Sequence, residues 1–218
     1  MTVRLDPVFR LASLGIDLAE VTWDDVRSAR VGADPLMPLF DPARTRLDGE
    51  NSVAFVGLKH IDAVLTGGVV LRRCPDGLGA AMRDMSLFAD RRVPGEFALL
   101  DGDPALLEVV RGRVAVIGAV WRAPHAGHGI LRALWPVLVA EAIERLRADW
   151  IVGLIRGGRH CKLGYEIEGF RHFWEGLHYR DPDWGGGFQV DDFTICAMSR
   201  REAEERVLGR SRSAGKAA

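Results

Sequence analysis

The sequence feature that most constrains the fold is a strand, a glycine-rich turn, a helix and a second strand in direct succession. Residues 114–121 form a nearly continuous apolar run of β type, which predicts a central strand buried on both faces. Residues 130–146 carry apolar side chains at helical spacing, with charged side chains on the other face. A second buried strand, residues 150–155, follows directly. This order predicts a right-handed crossover unit with two parallel strands, and Gly118 predicts a bulge or a close backbone approach in the first of them.

Composition excludes several classes of protein. The 218 residues fit one domain, and 48% hydrophobic residues are enough to build a core. A net charge of −1 gives no overall attraction to nucleic acid or to an anionic membrane. The longest apolar runs are far shorter than the roughly 20 residues of a membrane span. Three widely spaced cysteines match neither a disulfide framework nor a metal site, which favours a reducing cytoplasm and no metal cofactor.

The first half of the chain carries weaker signals. Residues 1–50 are mixed in pattern, with one helix predicted to begin after Thr22, which can act as its N-cap. Two β-rich runs, residues 53–58 and 64–71, predict a hairpin. Residues 75–112 are interpreted as an insertion that holds two short helices.

After the crossover unit the sequence predicts two further strands, residues 165–170 and 193–198. They are joined by a loop rich in Trp, Tyr, Gly and Asp. Residues 1–199 are therefore expected to form a single domain. Residues 200–218 are expected to be a charged tail that starts as a fraying helix and ends in disorder.

The turn at residues 126–131, Ala-Gly-His-Gly-Ile-Leu, is the segment best suited to hold a ligand. It enters a helix directly from a buried strand, so unpaired backbone N–H groups and the positive end of the helix dipole meet there. Gly127 and Gly129 allow the backbone to close around a phosphate. A dinucleotide-binding turn would need its third glycine at Arg132, and the P-loop pattern is absent.

These residues resemble a known family. The turn, together with residues 162–166, Lys-Leu-Gly-Tyr-Glu, is similar to the acyl-CoA-binding half of the GCN5-related N-acetyltransferases (GNAT), over about residues 113–199. The turn departs from the family pattern at Ala126, where an arginine is usual, and at Leu131, where a glycine is usual. The resemblance implies a mixed, mostly antiparallel α/β sheet of six to seven strands. Its central parallel pair is expected to be splayed by a bulge, with helices on both faces.

The resemblance also implies an acyl-CoA donor, most simply acetyl-CoA. Its pyrophosphate would lie on the turn, and its pantetheine would lie along the strand that precedes it. A backbone N–H near residues 117–120 would stabilise the oxyanion of the tetrahedral intermediate. The donor-binding residues expected on this basis are Ile117, Ala119, Val120, Trp121, Arg122, Ala126, Gly127, His128, Gly129, Ile130 and Leu131.

The catalytic groups are less well defined. His160 occupies the position of the family's frequent general acid, a tyrosine, and is our candidate acid. No carboxylate lies in residues 114–121, so a general base has to come from Glu96, Glu108, Asp191 or an ordered water. Trp174, Tyr179 and Trp184 are candidates for the wall of an acceptor pocket or for a homodimer contact. Packing in the core is the alternative, above all for Trp174.

Three hypotheses follow. The first is a cytoplasmic enzyme that transfers an acetyl group from acetyl-CoA to a small-molecule amine. The second keeps the fold and changes the donor to a longer acyl chain, carried by CoA or by a carrier protein. The third is a module that binds acyl-CoA without catalysis, since the family tyrosine and an evident base are missing. Neither nucleic acid nor a membrane is expected as a partner.

Overall fold

The centre of the structure is a mixed sheet of eight strands. The computed structural model describes residues 7–33, 36–88, 90, 96–99, 104–127, 129–156, 169–181, 188–207 and 209. The strands are β1 (Asp17–Val21), β2 (Ser52–Lys59), β3 (Asp62–Cys74), β4 (Glu96–Leu99), β5 (Gly112–Arg122), β6 (Trp150–Arg156), β7 (His172–Asp181) and β8 (Phe188–Ser199). Their lateral order is β1-β2-β3-β5-β6-β8-β7-β4, and every neighbouring pair is antiparallel except β5 and β6.

The predicted fold class is confirmed, with one correction to the number of strands. The parallel pair lies in the middle of a mostly antiparallel sheet, as expected. The sheet has eight strands rather than six to seven, because β1 and β4 lie in segments whose patterns predicted none. β1 pairs with β2 over five residues only, and β4 has four residues, so neither carries enough alternation to be read from the sequence.

Helices cover both faces of the sheet. They are α1 (Pro7–Ser13), α2 (Trp23–Ala29), α3 (Leu78–Arg83), α4 (Pro104–Val109), α5 (Ile130–Ala140) and α6 (Arg200–Arg206), with a 3₁₀ turn at Pro38–Phe40 and a π-helical turn at Glu141–Arg145. The core on one face contains residues of α1, α5 and α6, and the core on the other contains residues of α2, the 3₁₀ turn, α3 and α4. None of the helices in the described ranges is both long and apolar enough to cross a membrane.

Local signals explain the first predicted helix. Thr22 caps α2 through its side chain, which accepts a hydrogen bond of 3.2 Å from the Asp25 N–H. Asp25 in turn accepts hydrogen bonds from the hydroxyl and the backbone N–H of Thr22, and these bonds, first that from the hydroxyl, lower the pKa of its carboxyl group. The predicted start of the helix is therefore confirmed as a reciprocal capping box.

The C-terminal part differs from expectation. Residues 165–168 lie outside the described residues, and the strand on the outer side of β8 is β7, inside the segment interpreted as a loop. The aromatic residues of this segment have high β propensity, but the glycines and aspartates around them are typical of a loop and led to that interpretation. The tail is also more ordered at its start than expected. Ser199 caps α6 with a capping box, and Ala203 is fully buried in the core.

Three glycines allow large side chains to lie directly on the backbone of the central strands. Gly68 and Gly118 are register partners on β3 and β5. A Cβ at Gly68 would lie 2.4 Å from the Trp23 ring, and one at Gly118 would lie 2.3 Å from the Phe40 ring. These two rings stack at 5.5 Å between centroids. On the opposite face, a Cβ at Gly67 would lie 2.7 Å from Leu134 of α5. Close packing of this kind fixes both layers against the sheet.

We expect Gly118→Ala to lower the free energy of unfolding by about 1–3 kcal/mol, because the added methyl group overlaps the Phe40 ring and the core has to shift. Gly127→Ala is the matched control, since a Cβ there meets no atom within 4 Å. Denaturant titration measures both variants. Equal stability of the two would show that the Phe40 contact does not constrain β5.

Candidate active site

The two parallel strands pair at one end and separate at the other. β5 residues 114–117 pair with β6 residues 150–153. Beyond this point, β5 residues 118–122 remain beside β3, and β6 residues 154–156 remain beside β8. The two strands therefore continue without pairing to each other. This opening, which we call the β5–β6 cleft, leaves backbone groups of β5 without a partner on the β6 side within the described residues.

A bulge in β5 sets the course of the strand at the cleft. Two β5 residues, Ala119 and Val120, lie opposite the single β3 residue Gly67. Ala119 has a φ of +51°, in the left-handed region that a residue with a Cβ seldom adopts. The hydroxyl of Thr66 donates a hydrogen bond of 2.8 Å to the Ala119 carbonyl, and Thr66 itself is fully buried. The bulge is therefore fixed from the β3 side.

The branch point itself is tightly packed. Gly153 is the last β6 residue paired with β5, and a Cβ there would lie 2.9 Å from Cys196 Sγ and 3.5 Å from the Phe170 ring. Phe170 contacts Trp135 of α5, with the ring centroids 5.1 Å apart. Burial raises the pKa of the Cys196 thiol well above its usual value, so this cysteine is a packing residue and not a nucleophile.

The turn after β5 is held by its own backbone and by Arg122. The Ala126 N–H donates to the Ala123 carbonyl at 2.9 Å, and the Ala123 N–H donates to Val64 of β3 at 3.0 Å. The guanidinium of Arg122 donates to the Ala126 carbonyl. These bonds keep the turn close to β3 and place a positive charge beside it.

The glycines of the turn are open on the outside. A Cβ at Gly127 or at Gly129 would meet no atom within 4 Å. Gly129 is the N-cap residue of α5, with a φ of +89°, and since it has no side chain it makes no capping hydrogen bond to the first turn of the helix. The turn therefore presents N–H groups at the positive end of an 11-residue helix, which is an arrangement suited to an anion.

The expected donor-binding residues lie together around this turn and along the outer half of β5. Ile117 and Ile130 are buried, at 4% and 5% exposure, and form part of the core beneath the site. Val120 and Leu131 are exposed to 40% and 38%. Ala119, Trp121, Arg122 and Ala126 are half-buried, and His128 lies outside the described residues.

The expected catalytic residues are placed less completely. His160 and Trp184 lie outside the described residues. Glu108 of α4 forms an ion pair of 3.1 Å with Arg83 and packs against Gly77 and Gly79. This location is beside the first residue of β5, six residues from Gly118, or about 20 Å along the strand. Glu108 is thus at the wrong end of the sheet for a base acting at the cleft.

Three other predicted residues share the end of the sheet at which the cleft opens. The pairing of Arg156 with Phe193 puts the nearby β8 residue Asp191 at this end. Tyr179 of β7 pairs with Val190, and Glu96 of β4 pairs with Arg180. In the sheet, β8 lies next to β6, β7 lies outside β8, and β4 lies outside β7. Asp191 is therefore the nearest of the three to the cleft. Tyr179 is one strand spacing, about 4.8 Å, farther out, and Glu96 is two.

Trp174 is a core residue and not a pocket wall. It is 1% exposed and packs in the core on the α2 face. Its indole nitrogen is buried without a hydrogen-bond partner in the described part of the chain. The expectation that Trp174 contacts an acceptor therefore does not fit its closed environment.

Sequence reasoning missed two residues that shape the cleft, Thr66 and Phe40. The signal available for Thr66 was a single hydroxyl in the otherwise apolar run of residues 64–71, and nothing in the sequence connected Phe40 with Gly118, 78 positions away. The described residues contain no group of three or more His, Cys, Asp or Glu side chains placed to hold a metal ion. Burial also raises the pKa of the Cys74 thiol to about 11.

We expect Thr66→Val to loosen the bulge, because the isosteric side chain keeps the packing and removes the bond to Ala119. The free energy of unfolding should fall by about 1–3 kcal/mol. Amide hydrogen exchange should accelerate in residues 118–122 and stay unchanged in residues 114–117. Thr66→Ser keeps the hydroxyl and should retain the protection of residues 118–122. Protection of that segment in the valine variant would contradict the role given to Thr66.

Comparison with known proteins identifies the fold. No family model matches the sequence, and no curated protein sequence is significantly similar to it. Among solved structures, FeeM, an N-acyl amino acid synthase from uncultured soil microbes, is 12% identical, with a TM-score of 0.50 over 88% of this chain and 96% of its own. The spermidine/spermine N-acetyltransferase SpeG from Vibrio cholerae is 14% identical, with a TM-score of 0.49 over 90% of this chain and 97% of its own. The strand order, the splayed parallel pair and the likeness to FeeM show that the chain has the fold of the GCN5-related N-acetyltransferases.

Proposed function

We propose that the protein is an N-acyltransferase that moves an acyl group from a CoA thioester to the amine of a small molecule. The observation that carries this proposal is the β5–β6 cleft, which ends in the open glycine turn at the start of α5. In a cleft of this kind, an extended thioester can form hydrogen bonds with the unpaired backbone groups along one side. The diphosphate of the donor can bind to the N–H groups of the turn, at the positive end of the helix dipole.

The donor is expected to lie along β5, as an added strand would. Its pantetheine amides exchange hydrogen bonds with β5 residues 118–122, which have no β6 partner. The thioester carbonyl then comes close to the bulge at Ala119, where the strand turns away from β6. A backbone N–H at this point can donate to the carbonyl oxygen as negative charge develops on it.

The reaction requires one bond to form and one to break. The neutral amine attacks the thioester carbon, which forms the C–N bond and moves charge onto the carbonyl oxygen. Collapse of the tetrahedral intermediate breaks the C–S bond and releases the CoA thiolate. A base removes one proton from the amine nitrogen, and an acid supplies one proton to the sulfur.

Asp191 is our preferred base among the carboxylates considered, because its position in β8 is at the cleft end of the sheet, next to β6. Glu96 is two strands farther out, and Glu108 is at the opposite end of β5. An ordered water is the alternative. His160 remains the candidate acid on the strength of the resemblance alone.

Acetyl-CoA is the simplest donor, and a longer acyl chain is the second candidate. FeeM, which has a similar fold, is an N-acyl amino acid synthase. For this reason an amine screen should include amino acids beside other primary amines, and each amine should be offered with both an acetyl and a long-chain acyl donor. A non-catalytic acyl-CoA-binding module would bind a donor and give no turnover with any of these amines.

We expect Gly127→Leu to weaken the binding of acetyl-CoA by about tenfold or more, because its side chain would occupy the space above the turn where a diphosphate would lie. Calorimetric titration measures the dissociation constant. Gly49→Leu is the control, since a Cβ at Gly49 makes only one ordinary contact, at 3.6 Å from Arg145. Unchanged affinity in Gly127→Leu would remove the turn as the diphosphate site.

We expect His160→Ala and Asp191→Asn each to lower kcat by about 10²- to 10⁴-fold while the dissociation constant of the donor stays near that of the unaltered protein, since each residue is proposed to move a proton. Steady-state kinetics with the best amine of the screen measures this. Glu108→Gln is the control, and it should leave kcat unchanged. Full turnover in either variant would exclude that residue as an essential acid or base.

A further inference from the structure

Phe40 lies against β5 on the α2 face of the sheet, at the point where the β5–β6 cleft begins. Its side chain is 1% exposed, and its ring takes the space that a Cβ at Gly118 would need, at a distance of 2.3 Å. Gly118 is the first β5 residue beyond the pairing with β6, and the bulge at Ala119 follows directly. The position of this ring therefore determines how far the backbone of β5 can move toward the α2 face just before the bulge.

The Phe40 ring is carried by a single 3₁₀ turn. Two backbone hydrogen bonds close this turn, from the Phe40 N–H to the Met37 carbonyl at 2.8 Å and from the Asp41 N–H to the Pro38 carbonyl at 3.2 Å. One turn of helix is not stable by itself, so contacts with the rest of the protein have to fix its place on the sheet. The stack of Phe40 on the Trp23 ring is one such contact.

The Thr45 hydroxyl provides a second contact, which is polar. The Thr45 N–H donates to the Asp41 carbonyl at 2.9 Å, so the chain folds back toward the 3₁₀ turn. The side chain of Thr45 is buried, and its hydroxyl donates a hydrogen bond of 2.9 Å to the Pro38 carbonyl. A hydroxyl has one hydrogen, so its oxygen acts as the acceptor in its other contact, a bond of 3.1 Å from Arg72 Nη2.

Arg72 of β3 connects this hydroxyl to another segment of the chain. Its side chain is 12% exposed, and its guanidinium also donates to the Leu87 carbonyl at 3.3 Å and to Asp90 Oδ1 at 2.7 Å. Asp90 in turn accepts a hydrogen bond from the Arg46 N–H, next to Thr45. A guanidinium with several acceptors has a fixed orientation, and its charge strengthens the bond that the Thr45 hydroxyl makes to the 3₁₀ turn. We call Arg72, Thr45 and Asp90 the Arg72 network.

We propose that Arg72 is a positioning residue for acyl transfer. Through the Thr45 hydroxyl it holds the 3₁₀ turn, and with it the Phe40 ring, against Gly118. It thereby fixes the backbone N–H groups of the bulge, beside which the thioester carbonyl would lie. This inference rests on the proposed function and goes beyond it, because it gives a part in the reaction to a side chain distant from the cleft. Arg72 is four residues from Gly68, the register partner of Gly118, or about 13 Å along β3.

The two ends of a bound donor depend on different parts of the chain. The turn expected to hold the diphosphate is fixed by bonds that involve Val64, Ala123 and Arg122, which are separate from the hydrogen bonds of Arg72. The hydrogen bond to the thioester carbonyl depends on the bulge, and a contact of this kind is sensitive to displacements of about 1 Å. Loss of the Arg72 network should therefore reduce the polarisation of the carbonyl and leave the affinity for the donor nearly unchanged.

The test is isotope-edited infrared spectroscopy of the thioester carbonyl of acetyl-CoA, bound to the full chain in the absence of an amine. We expect Arg72→Gln and Thr45→Val each to move the carbonyl band to higher wavenumber than in the unaltered protein, because the hydrogen bond at the bulge is weakened. The dissociation constant of acetyl-CoA, measured by calorimetric titration, should stay within about twofold. With the best amine of the screen, kcat should fall by about 10- to 100-fold.

Two variants are matched controls. Thr45→Ser keeps the hydroxyl and should retain the band position of the unaltered protein. Arg73→Gln removes the same charge from the neighbouring, exposed residue of β3 and should change neither the band nor the dissociation constant. Arg72→Lys keeps the charge beside Asp90 but cannot reach all three acceptors. It replaces the glutamine variant if that variant does not fold, and it should move the band in the same direction.

The outcomes separate this inference from the proposed function. An unchanged carbonyl band in Thr45→Val and in the Arg72 variant, with acetyl-CoA bound, would overturn the role of Arg72 and leave the acyltransferase proposal standing. Lower stability in denaturant titration without a change of the band would overturn it too, since a purely structural network gives that result. Failure of the unaltered protein to bind acetyl-CoA would overturn the proposed function, and this inference with it.

Discussion

The hydrogen bond from the Thr66 hydroxyl to the Ala119 carbonyl is the interaction on which the geometry of the site depends. It fixes a two-against-one bulge between β5 and β3, and it holds Ala119 at a positive φ that alanine seldom adopts. As a result the outer half of β5 follows β3, while the outer half of β6 follows β8. Two parallel strands that would otherwise pair along their full length separate after Ile117 and Gly153.

Packing on both faces supports this separation. Phe40 lies against Gly118 on one face, just before the bulge, and Leu134 of α5 lies against Gly67 on the other. At the branch point Cys196 and Phe170 occupy the space that a side chain at residue 153 would need. Because the glycines lack a Cβ, the aromatic and aliphatic side chains contact the backbone directly, and the cleft begins where this contact ends. The packing of the core therefore determines where the cleft begins.

The sequence predicted the parts of this arrangement that depend on local pattern. Apolar runs predicted β5 and β6, and helical spacing predicted α5. Gly127 and Gly129 predicted the turn, and Thr22 predicted the start of α2. It did not predict the bulge residue. The sequence pattern pointed to Gly118, whereas the residue with the positive φ is Ala119. Nor did it predict that β7 runs through the aromatic segment, or that Glu108 pairs with Arg83. Each of these depends on a partner distant in the sequence, and pattern over a short window carries no information about such partners.

Arg122 shows how a departure from a family pattern can be offset elsewhere in the chain. The resemblance predicts an arginine where this sequence has Ala126, and its loss would remove a positive charge from the turn. In the structure the guanidinium of Arg122 donates to the Ala126 carbonyl, so a positive charge is again beside the turn, although it comes from the end of β5. Since the net charge of the protein is −1, attraction of an anion depends on such local groups and not on a field of the whole molecule. Arg122 is such a local group, because its guanidinium lies beside the turn that leads into α5.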